Sequence, residues 1–174
     1  MTLILGGARS GKSTFVEKLA SQSGKSVLFI ATATAGDEEM ARRIMNHKAS
    51  RPAAWRTLEI PLDIGRHLTP PAADLVIVDC ITLLVSNLLL SLPEGSADEI
   101  VLQKIREEIE ELIAAQVRLG GQWLVVANEV GLGIVPPHPL GRIYRDALGF
   151  ANQVLADKAS RVIFMVAGIP MVIK

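Results

Sequence analysis

Short apolar runs alternate along this chain with longer stretches in which apolar residues recur every three or four positions. The runs are 2–5 (TLIL), 26–32 (SVLFIAT), 74–79 (DLVIVD), 122–128 (QWLVVAN) and 161–168 (RVIFMVAG). The clearest of them, 74–79, is continuous rather than alternating, the pattern of a strand buried on both faces. Residues 171–174, after Pro170, add a short edge strand. Helical periodicity covers 13–23, with Phe15, Val16 and Leu19 on one stripe, then 37–50 and 139–160. It is clearest over 97–119, where Ile100, Ile105, Ile109, Leu112 and Ile113 fall at core spacing. The greasiest stretch, Ile81 to Leu92, contains Thr82, Ser86, Asn87 and Ser91 and is about half as long as a bilayer requires. It predicts a buried helix or a subunit interface, not a membrane span. Strands separated by helices imply βαβ units, so the expected fold is α/β, a mostly parallel sheet flanked by helices. The pairs Pro70-Pro71 and Pro136-Pro137 read as stiff loops instead of linkers, which leaves a single domain over 1–174.

Composition narrows the function. The chain is 49% hydrophobic and 21% charged, which suits a globular domain. Eighteen basic residues balance eighteen acidic ones, so no broad positive field exists to attract nucleic acid. The single Cys80 excludes an internal disulfide and fits the cytoplasm. The apolar start is too short for a signal peptide and runs straight into a glycine-rich motif.

That motif is Gly6-Gly7-Ala8-Arg9-Ser10-Gly11-Lys12-Ser13, a G-x-x-x-x-G-K-S phosphate-binding loop. Its glycines let successive N–H groups point at a polyphosphate. Lys12 brings a point charge to the β- and γ-phosphates, and the Ser13 hydroxyl is placed to ligate Mg²⁺. A strand precedes the loop and a helix follows it, so the helix N-terminus faces the phosphates. The expected ligand is a nucleoside triphosphate. Leu75-Val76-Ile77-Val78-Asp79 is an apolar strand ending in an acid, and Asp79 is the second candidate for the metal. Cys80 beside it reads as a small buried residue.

The helix over 37–50 has acids at its start and bases at its end, in agreement with the helix dipole. Pro52 disfavours helix at Arg51. Arg43, His47 and Arg51 are spaced by four and share a face if the helical path persists. Spacing alone favours a solvated basic face with a bystander histidine. The other reading is an imidazole held among guanidinium groups where phosphate oxygens come and go, and a neutral imidazole can attack phosphorus. His67 falls on a short helix and His138 on loop surface between prolines. The segment Asn128 to Pro136, N-E-V-G-L-G-I-V-P, follows a strand; Glu129 either faces a ligand or caps a helix. Trp55 reads as core or interface before stacking platform.

Taken together, GGARSGKS, IATA, DEEMARRIMNHKASRPAAWRTLE, VDCITLLVSNLL, ANEVGLGIVP and the late GIP run nearly the length of the chain. They resemble the bifunctional adenosylcobinamide kinase / adenosylcobinamide-phosphate guanylyltransferase family. The pairing of R-I-x-x-H-K-x-x-R-P-x-x-W with N-E-V-G-x-G-I-V-P is the specific part. The resemblance implies two reactions. ATP or GTP phosphorylates the aminopropanol hydroxyl of adenosylcobinamide. GTP then gives GMP to a histidine, here His47, and adenosylcobinamide phosphate takes it to form adenosylcobinamide-GDP. It also implies nucleotide contacts from Gly6, Gly7, Ala8, Arg9, Ser10, Gly11, Lys12 and Ser13, from Ala31, Thr32 and Ala33, from Lys48, Ala49, Ser50 and Arg51, and from Glu59 and Asp79. A RecA-like fold and a homotrimer complete the expectation. Two positions depart from relatives: Asp79 stands where some have Glu, and Asn46 where some have a second histidine. The competing expectations are a phosphate-loop small-molecule kinase without guanylyl transfer, and a RecA-type switch acting on macromolecules, which the neutral charge disfavours. One triphosphate pose can hardly present both the γ- and the α-phosphate, so movement of the nucleotide or of the His47 helix is expected, with Gly36 as the hinge.

Overall fold

The apolar runs become the middle of one seven-stranded sheet. A computed structural model describes residues 1–49, 51–70 and 73–174, without the side chain of Arg43. The expectations for Ser50, for Pro71 and for the Arg43 side chain therefore lie outside the described residues. In chain order the elements are β1 (Thr2–Gly6), α1 (Lys12–Gln22), β2 (Val27–Ala31), α2 (Glu38–Ala49), β3 (Arg56–Glu59) and α3 (Ile64–His67). Then come β4 (Leu75–Asp79), α4 (Ile81–Ser91), α5 (Asp98–Leu119), β5 (Gln122–Val126), α6 (Pro139–Lys158), β6 (Arg161–Val166) and β7 (Ile169–Val172). The spatial order is β3-β2-β4-β5-β1-β6-β7. Every pairing is parallel except the β6–β7 hairpin.

Because neighbouring side chains on a strand point to opposite faces, the continuous apolar runs feed two cores at once. Leu3, Leu28, Ile30, Val76, Val78, Trp123 and Val125 join one cluster with residues of α3, α4, α5 and α6. Ile4, Phe29, Leu75, Ile77, Leu124 and Val126 join the other, with Val16 and Ala20 of α1. Trp123 is fully buried and satisfies its indole N–H on the Gly120 carbonyl at 2.8 Å. The stretch from Ile81 is a core helix: Ile81, Thr82, Leu84, Val85 and Leu88 are buried.

Several sequence expectations need correction. β3, an edge strand of sequence RTLE, has no apolar run to betray it and forms because it pairs with β2 from Leu28↔Arg56 to Ala31↔Glu59. β7 begins two residues earlier than expected and includes Pro170, whose missing N–H is tolerable on an edge. Leu19 is 37% exposed, and the buried stripe of α1 is Lys12, Val16 and Ala20. Ile100 is 53% exposed; Val101 takes its place among the buried residues of α5.

Helix α5 also carries a buried acid. Glu108 accepts the N–H groups of Asp63 and Ile64 at 3.1 Å each, capping α3 from another element. The same contact requires a glycine. A Cβ on Gly65 would lie 2.6 Å from the Glu111 carbonyl oxygen, a backbone atom of α5. Gly65→Ala is therefore expected to cost about 1–3 kcal/mol through overpacking, read as a lowered denaturation midpoint with an unchanged m-value.

Candidate functional site

The carboxyl ends of β1, β2, β4 and β5 lie along one edge of the parallel sheet, where ligands of such folds bind. A cleft of about 560 Å³ opens there. The phosphate loop forms its floor. Gly6 (φ +152°) leaves no room for a side chain: a Cβ would sit 2.5 Å from the Met165 carbonyl oxygen. Gly11 (φ +92°) precedes α1, and a Cβ there would come within 3.1 Å of the Gly168 Cα. Gly168, in the β6–β7 turn, donates its N–H to the Ser10 carbonyl at 2.9 Å. The late Gly168-Ile169-Pro170 segment thus braces the loop from behind.

Lys12 is buried, and its ammonium donates to the carbonyls of Gly6 at 2.9 Å and Gly7 at 2.7 Å. Burial lowers its pKa, opposed by the neighbouring Cys80 and Asp79. The Ser13 hydroxyl donates to Asp79 Oδ2 at 3.2 Å. Burial raises the pKa of Asp79, and the Ser13 bond works against it. The Cys80 thiol is pushed up to about 11 by burial, so it stays protonated and is no nucleophile. Thr32 is fully buried, and its hydroxyl donates to the Cys80 carbonyl at 2.7 Å and accepts the Cys80 N–H at 2.9 Å. It ties the end of β2 to the end of β4.

Helix α2 forms the opposite wall. Asp37 Oδ1 accepts the Met40 N–H at 2.7 Å, capping the helix start, and Glu38 and Glu39 occupy its first turn. Met40, Ile44 and His47 then line the cleft from one helical face. Arg51, beyond the helix end, lines it too. Its guanidinium lies 3.8 Å over the Phe29 ring, and Phe29 stacks on Trp55 at 6.3 Å and 19°. Trp55 is accordingly a packing residue. Lys48 pairs with Glu59 at 2.7 Å with both side chains more than half exposed; this bond holds the Glu59 carboxyl below its ordinary range.

The structure thus gathers Ala8, Arg9, Ser10, Gly11, Lys12, Ser13, Ala31, Ala33, His47, Arg51, Glu59 and Asp79 around one cleft. Gly6, Gly7, Thr32, Lys48 and Ala49 stand behind or beside its lining. Thr82 and Asn128, the latter the first residue of the N-E-V-G-L-G-I-V-P segment, line it too. Asn128 is held through its backbone: its N–H donates to Thr82 Oγ1 at 2.7 Å and its carbonyl accepts Asn152 Nδ2 at 3.0 Å. Its place at the carboxyl end of a buried strand was the available signal. The Glu129 carboxylate accepts the N–H of Gly131 in its own loop.

A phosphate loop, a hydroxyl–carboxylate pair at its mouth and a basic wall facing it define a nucleotide-binding protein of the phosphate-loop class. Residues 2–173 match the family of cobinamide kinase / cobinamide phosphate guanyltransferase, and the chain belongs to that family. It is 48% identical to the bifunctional adenosylcobalamin biosynthesis protein CobP of Pseudomonas aeruginosa, across 99% of this chain and 96% of that protein. It is 43% identical to the bifunctional adenosylcobalamin biosynthesis protein CobU of Salmonella typhimurium, across all of this chain and 99% of that protein. Among solved structures, the RadB recombinase superposes with a TM-score of 0.48 at 13% identity, covering 94% of this chain and 72% of that one. No helix among the described residues is long and apolar enough to cross a membrane.

Proposed function

We propose that one cleft serves two displacements at phosphorus. In the first, the γ-phosphate of ATP or GTP passes to the side-chain hydroxyl of adenosylcobinamide. In the second, His47 attacks the α-phosphorus of GTP, pyrophosphate leaves, and adenosylcobinamide phosphate takes the GMP from His47 to give adenosylcobinamide-GDP. The observation that carries this reading is that His47 and the phosphate loop line the same cleft. Family membership and the two bifunctional relatives favour the double activity over a kinase alone.

Lys12 and the loop N–H groups hold the triphosphate and stabilise charge on the leaving oxygens. Arg51 and Glu59 contact the nucleotide from the other wall. The donor set at the loop suits Mg²⁺: one hydroxyl, Ser13, and one carboxylate, Asp79, with no group of three or more acids, histidines or cysteines placed to hold a metal among the described residues. Mg²⁺ takes its remaining ligands from phosphate and water. When bound it neutralises charge on the phosphate oxygens and offsets the burial of Asp79. Exposed apolar residues, among them Leu90 at 70%, Leu132 at 83% and Ile134 at 98%, support a homotrimer that covers part of them. The corrinoid and the nucleotide are the partners, with no nucleic acid, and the site of action is the cytoplasm.

The test is to incubate the protein with α-labelled GTP and Mg²⁺ and to map the label. A single acid-labile GMP on His47 is expected; label on any other residue, or none, removes His47 from the role.

A further inference from the structure

Strand β5 is hydrogen-bonded between β1, which ends in the phosphate loop, and β4, which ends in Asp79. Val126 is level with Ile4 on one side and with Asp79 on the other. Beyond it the chain stays extended along β1: Ala127 donates its N–H to the Ile4 carbonyl at 3.0 Å, and Glu129 donates to the Gly6 carbonyl at 3.1 Å. Asn128, between them, shares the face of Val126, because side chains alternate along an extended chain. That is the cleft face: Val126 and Asn128 line the cleft together with Lys12, Ser13 and Asp79. Two residues of extended chain carry Asn128 about 7 Å past the level of Asp79, on the strand between the loop and that acid. Its main chain is pinned there on both sides, by the buried Thr82 at 2.7 Å and the buried Asn152 at 3.0 Å. Lys12 and the Ser13 hydroxyl mark the β- and γ-phosphates of a bound triphosphate. We propose that Asn128 is a catalytic residue of phosphoryl transfer: its side-chain amide donates to an oxygen of the γ-phosphoryl group as that group passes to the corrinoid hydroxyl.

This rests on the kinase half of the reading above. In that step a lone pair of the hydroxyl oxygen bonds to the γ-phosphorus. The bond from that phosphorus to the β–γ bridging oxygen breaks, and the nucleoside diphosphate leaves with the electron pair. The hydroxyl proton passes to an oxygen of the transferred group and from there to water. In flight, negative charge is spread over the three oxygens of the phosphoryl group. A donor fixed in advance stabilises that charge without reorganising, and an amide held by its own main chain is such a donor. It carries no charge and does not titrate, so it neither draws the proton nor competes with Lys12. The sheet order also separates the two chemistries. Arg51 lies over Phe29 of β2 and Lys48 is bonded to Glu59 of β3, which places the end of α2, with His47, on the β2–β3 side of β4. Asn128 stands on the opposite side, at the end of β5. The two flanks of the cleft thus serve different phosphorus atoms, His47 the α and Asn128 the γ.

The test uses Asn128→Ala and Asn128→Asp in the full chain. The bonds to Thr82 and Asn152 are made by main-chain atoms of Asn128, so both variants are expected to fold, with thermal midpoints near that of the wild type. Single-turnover phosphorylation of the corrinoid is expected to fall about a hundredfold in Asn128→Ala, the scale of one lost donor to developing charge. It is expected to fall further in Asn128→Asp, whose carboxylate cannot donate and repels phosphate. Transfer of GMP to His47 is expected to suffer a loss at least about tenfold smaller, because the attacked phosphorus lies elsewhere. A binding measurement needs no corrinoid: the preference for β,γ-imido-ATP over ADP is expected to shrink about tenfold in Asn128→Ala, with the affinity for ADP kept. Phosphorylation at the wild-type rate by Asn128→Asp, an equal loss of both reactions, or an unchanged preference for the triphosphate overturns the proposal. Absence of corrinoid phosphorylation by the wild type overturns the reading of the previous subsection, and the binding preference still decides whether Asn128 meets the γ-phosphate.

Discussion

His47→Ala is expected to abolish the acid-labile GMP adduct and to lower formation of adenosylcobinamide-GDP on the order of 10³-fold or more, as removal of a covalent nucleophile does. Corrinoid phosphorylation is expected to survive. The asymmetry follows from placement. His47 is an exposed residue of the last turn of α2, on the wall of the cleft, and takes no part in the core. Its removal therefore costs little stability and leaves intact the loop, the Lys12 ammonium and the Ser13–Asp79 pair that grip the triphosphate. Direct transfer from GTP to the corrinoid phosphate would instead let the variant form product without an adduct. A variant that forms adenosylcobinamide-GDP at the wild-type rate sinks the covalent route.

Most of this site was legible in the amino-acid sequence because its chemistry is local. Residues 6–13 carry their own instructions: glycines where a Cβ would strike Met165 or Gly168, a lysine and a serine at fixed offsets. The central strands were legible because they are buried on both faces and read as unbroken apolar runs. What stayed hidden depends on contacts distant in sequence. β3 is a polar edge strand, defined by its register with β2 and not by its own residues. Glu108 looks like another polar residue of a charged helix, yet it caps α3, some 44 residues away. Of the face that helical spacing gave to Arg43, His47 and Arg51, His47 on the helix and Arg51 in the bend beyond it line the cleft, and Met40 and Ile44 join them from the helix.

Lys12→Met is expected to impair both reactions together, by about 10² to 10³ in kcat/KM, the scale of a lost donor to developing phosphate charge. Methionine keeps the unbranched stem, so the packing under the loop persists. What goes is the ammonium that bridges Gly6, Gly7 and Ser10 at 2.9, 2.7 and 3.4 Å. Without nucleotide the net change in stability is expected to be small, since two losses offset each other. Two carbonyls lose a donor, but a buried charge, whose pKa burial already lowers, is also removed. With nucleotide the difference becomes large. A ligand at about 100 times its Kd stabilises the wild type by about 2.7 kcal/mol, and the variant forfeits most of that. Thermal melts with and without GTP read this directly. Arginine does not rescue, because a planar fork cannot replace a compact charge in a space bounded by Gly6, Gly7 and Ser10. The two substitutions together decide whether one cleft runs both reactions: His47→Ala separates them, and Lys12→Met must not. Retention of guanylylation by Lys12→Met, with phosphorylation lost, would assign the two reactions to different nucleotide sites.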